Sequence, residues 1–150
     1  MPNTYGTHST AVLMRDIGTA VHMKYRCSSS GADIEDEGAS SFRNDFGYSS
    51  ASFSGYDYKK VKRELDFSSP VILRGGRKSG WWIFSQYKDG HAWVCDGYSE
   101  TIYPCWGTIL LLHMNWGWDG RYNGWYSFND FNPGKDSFNY KRKMIYSIKP

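Results

Sequence analysis

Asp89-Gly90-His91-Ala92-Trp93-Val94-Cys95-Asp96-Gly97-Tyr98, followed by His113-Met114-Asn115-Trp116-Gly117-Trp118-Asp119-Gly120-Arg121-Tyr122-Asn123-Gly124-Trp125-Tyr126-Ser127-Phe128, decides how this chain folds. The segment reads with a strand period of two, and its glycines cut it into strand-length pieces. Working outward, the same reading gives strands from Val71 to Arg74, His91 to Tyr98, Thr108 to Asn115, Trp125 to Phe128 and Met144 to Ile148. Before Pro70 the period becomes helical. Ser9 or Thr10 caps a helix whose Leu13, Ile17 and Val21 recur every four residues, with Val12, Ala20 and Tyr25 widening the stripe. This helix is expected to pack one face on a core and to end before Cys27. A short helix from Ala39 to Phe46, with Phe42 and Phe46 on its buried side, stops at Gly47. Asp57 caps a third helix, with Tyr58, Val61 and Leu65 inward and the lysines in water, and Ser68-Ser69-Pro70 ends it. Helices over 9–66 and a mainly antiparallel sheet over 70–150 make one α+β domain, or a large part of one, across residues 1–150.

Composition narrows the function classes. With 40% hydrophobic and 22% charged residues, the 150-residue chain has apolar surface enough for one core, which sets it apart from disordered chains. The net charge of +3 is small, and the clusters Lys59-Lys60-Val61-Lys62-Arg63 and Lys141-Arg142-Lys143 read as solvated faces, so no nucleic-acid partner is implied. The longest apolar run, Ile109-Leu110-Leu111-Leu112, is far below membrane-spanning length. No basic-then-apolar targeting segment opens the chain. Cysteines at 27, 95 and 105 cannot all pair; Cys95 and Cys105 flank a turn, but reduced thiols are the simpler reading. Asp33-Ile34-Glu35-Asp36-Glu37-Gly38 lacks calcium-loop spacing and reads as solvent-exposed. Arg74-Gly75-Gly76-Arg77-Lys78-Ser79-Gly80 lacks Walker spacing and reads as an exposed flexible loop. Neither a metal nor a cofactor is expected.

The chemistry concentrates on His91. It opens an apolar strand, where the sheet fixes its backbone while the ring faces a groove, and an imidazole can take a proton from a thiol and return it to a leaving amine. Asn115 ends another strand and can accept an imidazole N–H, which would hold the ring in one orientation. Trp116 and Trp118 would cover that bond and exclude water, with Gly117 and Gly120 turning the backbone beneath them.

These residues resemble a known family, the streptopain-like cysteine peptidases of family C10. The resemblance is strongest in Gly90-His91-Ala92-Trp93-Val94, Asp96-Gly97-Tyr98 and His113-Met114-Asn115-Trp116-Gly117-Trp118. It extends in order through Val12-Leu13-Met14-Arg15-Asp16-Ile17-Gly18, Val21-His22-Met23-Lys24-Tyr25, Ser28-Ser29-Ser30-Gly31-Ala32, Asn44-Asp45-Phe46-Gly47-Tyr48 and Pro70-Val71-Ile72-Leu73. The resemblance implies a partial papain-like fold, peptide-bond hydrolysis through a Cys–His pair, and a secreted or cell-envelope bacterial protease. It makes His91 the catalytic histidine, with Asn115 and Trp116 as its supports and Trp118 on a neighbouring aromatic shelf. It also places Gly90 and Arg74 by the substrate cleft, with Arg74 where the family tends to have glutamine. The family's nucleophile lies in a Gly-Cys-x-Ala-Thr-Ala-like helix, and this chain has no such segment. Cys27 stands in a serine-rich turn, Cys95 on the histidine's own strand, and Cys105 after a proline. The isolated chain is therefore expected to be inactive. Its implied partners are a polypeptide substrate, the N-terminal part of the same domain and, as a further candidate, a propeptide.

Two other readings use the same residues. The glycine- and tryptophan-rich surface could be a non-enzymatic module that stacks on a peptide or glycan. His91, His113, Cys95 and Cys105 are numerous enough for zinc, but their spacing lacks the close pairs of structural sites.

Overall fold

The computed structural model describes residues 4–27, 30–32, 35–80, 85–105 and 107–150. Ser28 and Ser29 of the serine-rich turn, Asp33 and Ile34 of the acidic stretch, and the opening Met1-Pro2-Asn3 lie outside the described residues. Among the described residues the order is α1 (Thr4–Ala20), α2 (Asp36–Asn44), β1 (Ser50–Gly55), α3 (Tyr58–Asp66), β2 (Val71–Ser79), β3 (Gln86–Tyr103), β4 (Gly107–Asn115), β5 (Gly124–Ser127) and β6 (Tyr140–Lys149). The strands form one sheet in the order β1-β6-β2-β3-β4-β5, and every neighbouring pair is antiparallel. Apart from β1, which falls between α2 and α3, helices precede an antiparallel sheet, the α+β arrangement that the change of period predicts.

Pairing parity sorts the sheet into two faces. Val71, Leu73 and Gly75 of β2 stand opposite Cys95, Trp93 and His91 of β3, and these share one face. The buried residues of that face continue through Leu112, Met114, Phe131, Phe138 and Met144, closed by Val61 of α3. Ile72 and Arg74, opposite Val94 and Ala92, point the other way. There a smaller cluster of Ala39, Ala51 and Ile145 gathers Phe42, Phe53, Ile72 and Ile148 under α2.

The third helix begins as its sequence predicts, with the Asp57 carboxylate accepting from the Lys59 N–H at 2.9 Å. Glu64 adds what periodicity could not show: the buried carboxylate accepts from the Ser147 N–H and hydroxyl, both at 3.1 Å, and so ties α3 to β6. The second helix starts earlier than expected, at Asp36, because Asp36 and Glu37 suit the positive end of its dipole. Phe42 packs on the small cluster and meets Tyr48 edge-on at 5.1 Å, while Phe46 lies beyond the helix.

Two expectations are corrected. The first helix begins at Thr4, so Ser9 and Thr10 are internal rather than caps, and Leu13 and Tyr25 of the expected stripe are 51% and 70% exposed instead of packed on a core. Its end is tied to α2 by the Ser41 hydroxyl, which donates to the Ala20 carbonyl at 3.0 Å. The stretch from Arg74 to Ser79 is strand, not flexible loop. Its glycines serve close approach: a Cβ on Gly75 would lie 2.0 Å from the Phe138 carbonyl oxygen, and one on Gly76 2.5 Å from the Tyr87 ring. All three cysteines are free, the simpler of the two sequence readings. The β3–β4 hairpin pairs Tyr103 with Gly107, which puts Cys105 at the tip, about 26 Å of strand from Cys95 at the usual rise per residue.

Candidate active site

His91 opens the apolar stretch of β3 at a place prepared by two glycines. Gly75 stands opposite it on β2. A Cβ on Gly90 would strike the Tyr87 hydroxyl at 2.6 Å and its ring at 2.7 Å, and that hydroxyl donates to the Gly75 carbonyl at 2.9 Å, so this tyrosine bridges β2 and β3 just before the histidine. Gly90 is thus placed as a support of the strand.

The half-buried imidazole has one polar partner and several aromatic ones. Its Nε2 donates to the Trp116 carbonyl at 2.8 Å. A carbonyl oxygen has no proton to give, so Nε2 carries the proton of the neutral ring and Nδ1 presents the lone pair. Trp118 stacks on the ring with centroids 4.6 Å apart, Phe138 lies at 5.4 Å, and Trp116 and Trp93 stack at 6.2 and 6.3 Å. Aromatic faces attract a cation, so an imidazolium formed here is stabilised from the Trp118 side.

The carbonyl that holds His91 is itself fixed by two asparagines. The Trp116 N–H donates to Asn123 Oδ1 at 2.9 Å, and the Gly117 N–H donates to Asn115 Oδ1 at 3.1 Å. The expected bond from Asn115 to the imidazole is therefore replaced by an indirect one: Asn115 fixes the turn, and the turn's carbonyl meets the ring. Trp116 is fully buried and packs against Trp93 at 4.5 Å and edge-on to Tyr126 at 5.3 Å. Trp118 stacks on the imidazole and on Trp116, with centroids 4.6 and 5.8 Å away.

Arg74 is placed elsewhere. Strand alternation puts it on the face opposite His91, where its guanidinium meets Glu35 at 3.0 Å and lies 5.4 Å from the Tyr87 ring centre. Glu35 is the N-cap residue of α2, so Arg74 holds that helix to the sheet instead of lining a cleft beside His91. His113 also points away from His91, and its Nδ1 meets Asp96 Oδ1 at 2.6 Å. Among the described residues no three His, Cys, Asp or Glu side chains come close enough to hold a metal.

Cys95 shares the histidine's face but sits four residues along β3, about 13 Å away at the usual rise. Burial pushes its thiol up to about 12, which keeps it protonated and unreactive. Several contributors to the site escape a reading of the sequence alone. Trp93, Asn123 and Phe138 all reach His91 or its carbonyl partner, and Phe138 comes from a segment with no period. The Asn123-Gly124 turn pair was the one usable signal, since asparagine before glycine marks a tight turn.

The fold, with a histidine fixed by the turn after a neighbouring strand, is that of the papain-like cysteine peptidases. The structure of active wild-type interpain A cysteine protease from Prevotella intermedia matches it with a TM-score of 0.70 and 30% identity, over 92% of this chain and 55% of that one. The Peptidase C10 family model matches residues 2–126, and the chain belongs to that family. Streptopain from Streptococcus pyogenes is 29% identical over 153 aligned residues, covering 92% of this chain. The thiol protease/hemagglutinin PrtT from Porphyromonas gingivalis is 32% identical over 133, covering 83%. The chain spans 34% of the length of streptopain and 13% of that of PrtT. No helix among the described residues is long and apolar enough to cross a membrane.

Proposed function

We propose that this chain is the histidine-bearing portion of a cysteine endopeptidase, acting when another stretch of polypeptide brings a thiol to Nδ1 of His91. The supporting observation is the Nε2–carbonyl bond, because it leaves Nδ1 as the basic atom. In the first step Nδ1 takes the thiol proton, the sulfur bonds to the substrate carbonyl carbon, and the carbon–nitrogen bond breaks as the imidazolium returns that proton to the leaving amine. Water then attacks the thioester with His91 again as base, releasing the acid and restoring the thiol. Trp116 positions the ring, Trp118 covers it, and Asn115 and Asn123 hold the carbonyl. The thiol-bearing segment and the polypeptide substrate are the partners of this reading, and a location outside the cytoplasm belongs with it.

In this reading none of the three cysteines is the nucleophile: Cys95 is buried and protonated, and Cys105 sits at the far tip of the β3–β4 hairpin. The 150-residue chain is expected to leave casein and fluorogenic peptides intact. Extending the coding sequence upstream should supply a Gly-Cys helix and turnover, which His91→Ala lowers by roughly 100- to 10,000-fold. An extended chain whose turnover survives His91→Ala refutes the assignment. In the stacking-module reading Trp93 and Trp116 are buried and take no part, which leaves Trp118, Tyr122 and Trp125 as its surface.

A further inference from the structure

Beyond Trp118 the surface opens into a groove of about 570 Å³ lined by Trp118, Arg121, Tyr122, Lys135 and Asp136. Trp118 also stacks on His91 at 4.6 Å, so the groove adjoins the candidate catalytic histidine. Its walls are held firmly. Asp119 and Tyr122 adopt left-handed φ of 54° and 62°, with Gly117 and Gly120 left-handed between and beside them at 73° and 79°. Non-glycine residues hold such angles only where surrounding contacts enforce them. Tyr122 stands edge-on to Trp118 at 6.2 Å, its carbonyl accepts from the Tyr126 hydroxyl at 2.7 Å, and its ring rests on Gly134, where a Cβ would come within 2.6 Å. Two cations face this groove against one carboxylate. Neither Arg121 nor Lys135 has an ion-pair partner among the described residues.

We propose that this groove is a substrate subsite for a carboxylate, which Arg121 and Lys135 bind while Trp118 and Tyr122 pack on the adjoining peptide. The inference rests on the peptidase reading and adds to it a preference for substrates that place an acidic group beside the scissile bond. Arginine offers a carboxylate a planar two-pronged donor, and aromatic walls lower the local dielectric around the pair. Asp136 tempers the preference and disfavours groups that carry more than one negative charge. The same chemistry is offered by a Glu side chain or by a peptide's terminal carboxylate.

The test is equilibrium binding to the 150-residue chain, read by tryptophan fluorescence and by the Trp118 indole N–H resonance. The probes are acetylated, amidated hexapeptides differing only in a central Glu, Gln or Lys, and a Gln peptide with a free C-terminus. The Glu peptide is expected to bind roughly three- to tenfold more tightly than the Gln peptide at low salt, with the gap closing at about 0.5 M salt. Arg121→Gln and Lys135→Gln should each reduce the Glu preference, and Asp136→Asn should increase it. A free-terminus peptide that matches the Glu peptide identifies the terminal carboxylate as an equal ligand; one that matches the amidated Gln peptide assigns the subsite to side chains. Equal binding of Glu and Gln peptides, preference for Lys, or no binding up to millimolar peptide overturns the proposal. Because the readout is binding rather than turnover, this failure is separate from the failure of the His91 assignment.

Discussion

Two histidines lie on neighbouring strands of one sheet and face opposite sides of it. His91 has a carbonyl as its polar partner and rings of Trp93, Trp116, Trp118 and Phe138 around it. His113 has the Asp96 carboxylate at 2.6 Å and the edge of Trp125, itself 53% exposed, at 5.1 Å. A carboxylate can hold either a neutral or a charged imidazole in an exposed pair, whereas a neutral carbonyl inside an aromatic block fixes one tautomer and shields the other nitrogen's surroundings from water. Chemistry is thus assigned by enclosure and by which ring nitrogen is already engaged, not by the presence of a partner. The same contrast runs through the whole sheet. The His91 face is dense and aromatic, while the other face carries only a small cluster under α2 and is open around His113.

The largest expected difference is in packing. Phe131 is fully buried, meeting Trp93 at 5.6 Å and Tyr56 at 5.4 Å. Phe131→Ala should cost about 3–5 kcal/mol in urea unfolding. Trp125→Ala, on the open side, should cost about 0.5 kcal/mol or less despite the larger ring removed. Equal losses would mean that the two faces are not packed differently.

Glycines sharpen the contrast at smaller scale. Gly75→Ala drives a methyl into the Phe138 carbonyl, which belongs to backbone and must move with its strand neighbour. Gly97→Ala, on β3 beside His113, meets only the His113 and Trp125 side chains at 3.5 and 3.9 Å, ordinary contact distances. The first should destabilise by about 1–3 kcal/mol and the second by a few tenths. If turnover in the extended chain is also followed, Gly75→Ala should lower it through Phe138 and His91. Comparable stability losses for the two variants would place Gly75 in a looser setting than described.

How far the sequence revealed this division follows from what periodicity can carry. It marked the strands through His91 and Asn115 because their apolar residues alternate, and it marked α3 through Asp57, Val61 and Leu65. It missed β1, whose Ser50-Ala51-Ser52-Phe53-Ser54-Gly55 has few large residues and is held by pairing with β6. Phe131 and Phe138 stayed invisible for a related reason: they fold inward from an aperiodic loop, held together by the Phe138 N–H donating to the Phe131 carbonyl at 2.9 Å. The stripe on α1 told which residues share a side but not what covers them. Arg74 shows the limit most plainly, since a one-residue change of parity separates a cleft position from the opposite face. The histidine was legible as a candidate, and its hydrogen bond to a main-chain carbonyl was not, because side-chain identities do not report which backbone oxygen a turn will aim.

The thiols offer the last and smallest test. Burial raises Cys95 to about 12, whereas an unfolded cysteine titrates near 8.5. Between those values the unfolded chain loses a proton that the folded chain keeps, so this contribution to stability is complete below about pH 8.5 and declines as pH rises towards 12. At pH 10 the loss should amount to at most about 2 kcal/mol, and to less where the site relaxes. Cys95→Ala should flatten the stability curve between pH 8.5 and 10, whatever its offset at neutral pH, whereas Cys105→Ala at the exposed hairpin tip should leave the slope unchanged. A thiol reagent at pH 8 should correspondingly label Cys27 and Cys105 quickly and Cys95 only on unfolding. Rapid labelling of Cys95 in the native protein would show that the face carrying His91 is not closed around it, and with that the enclosure that separates the two histidines would be lost.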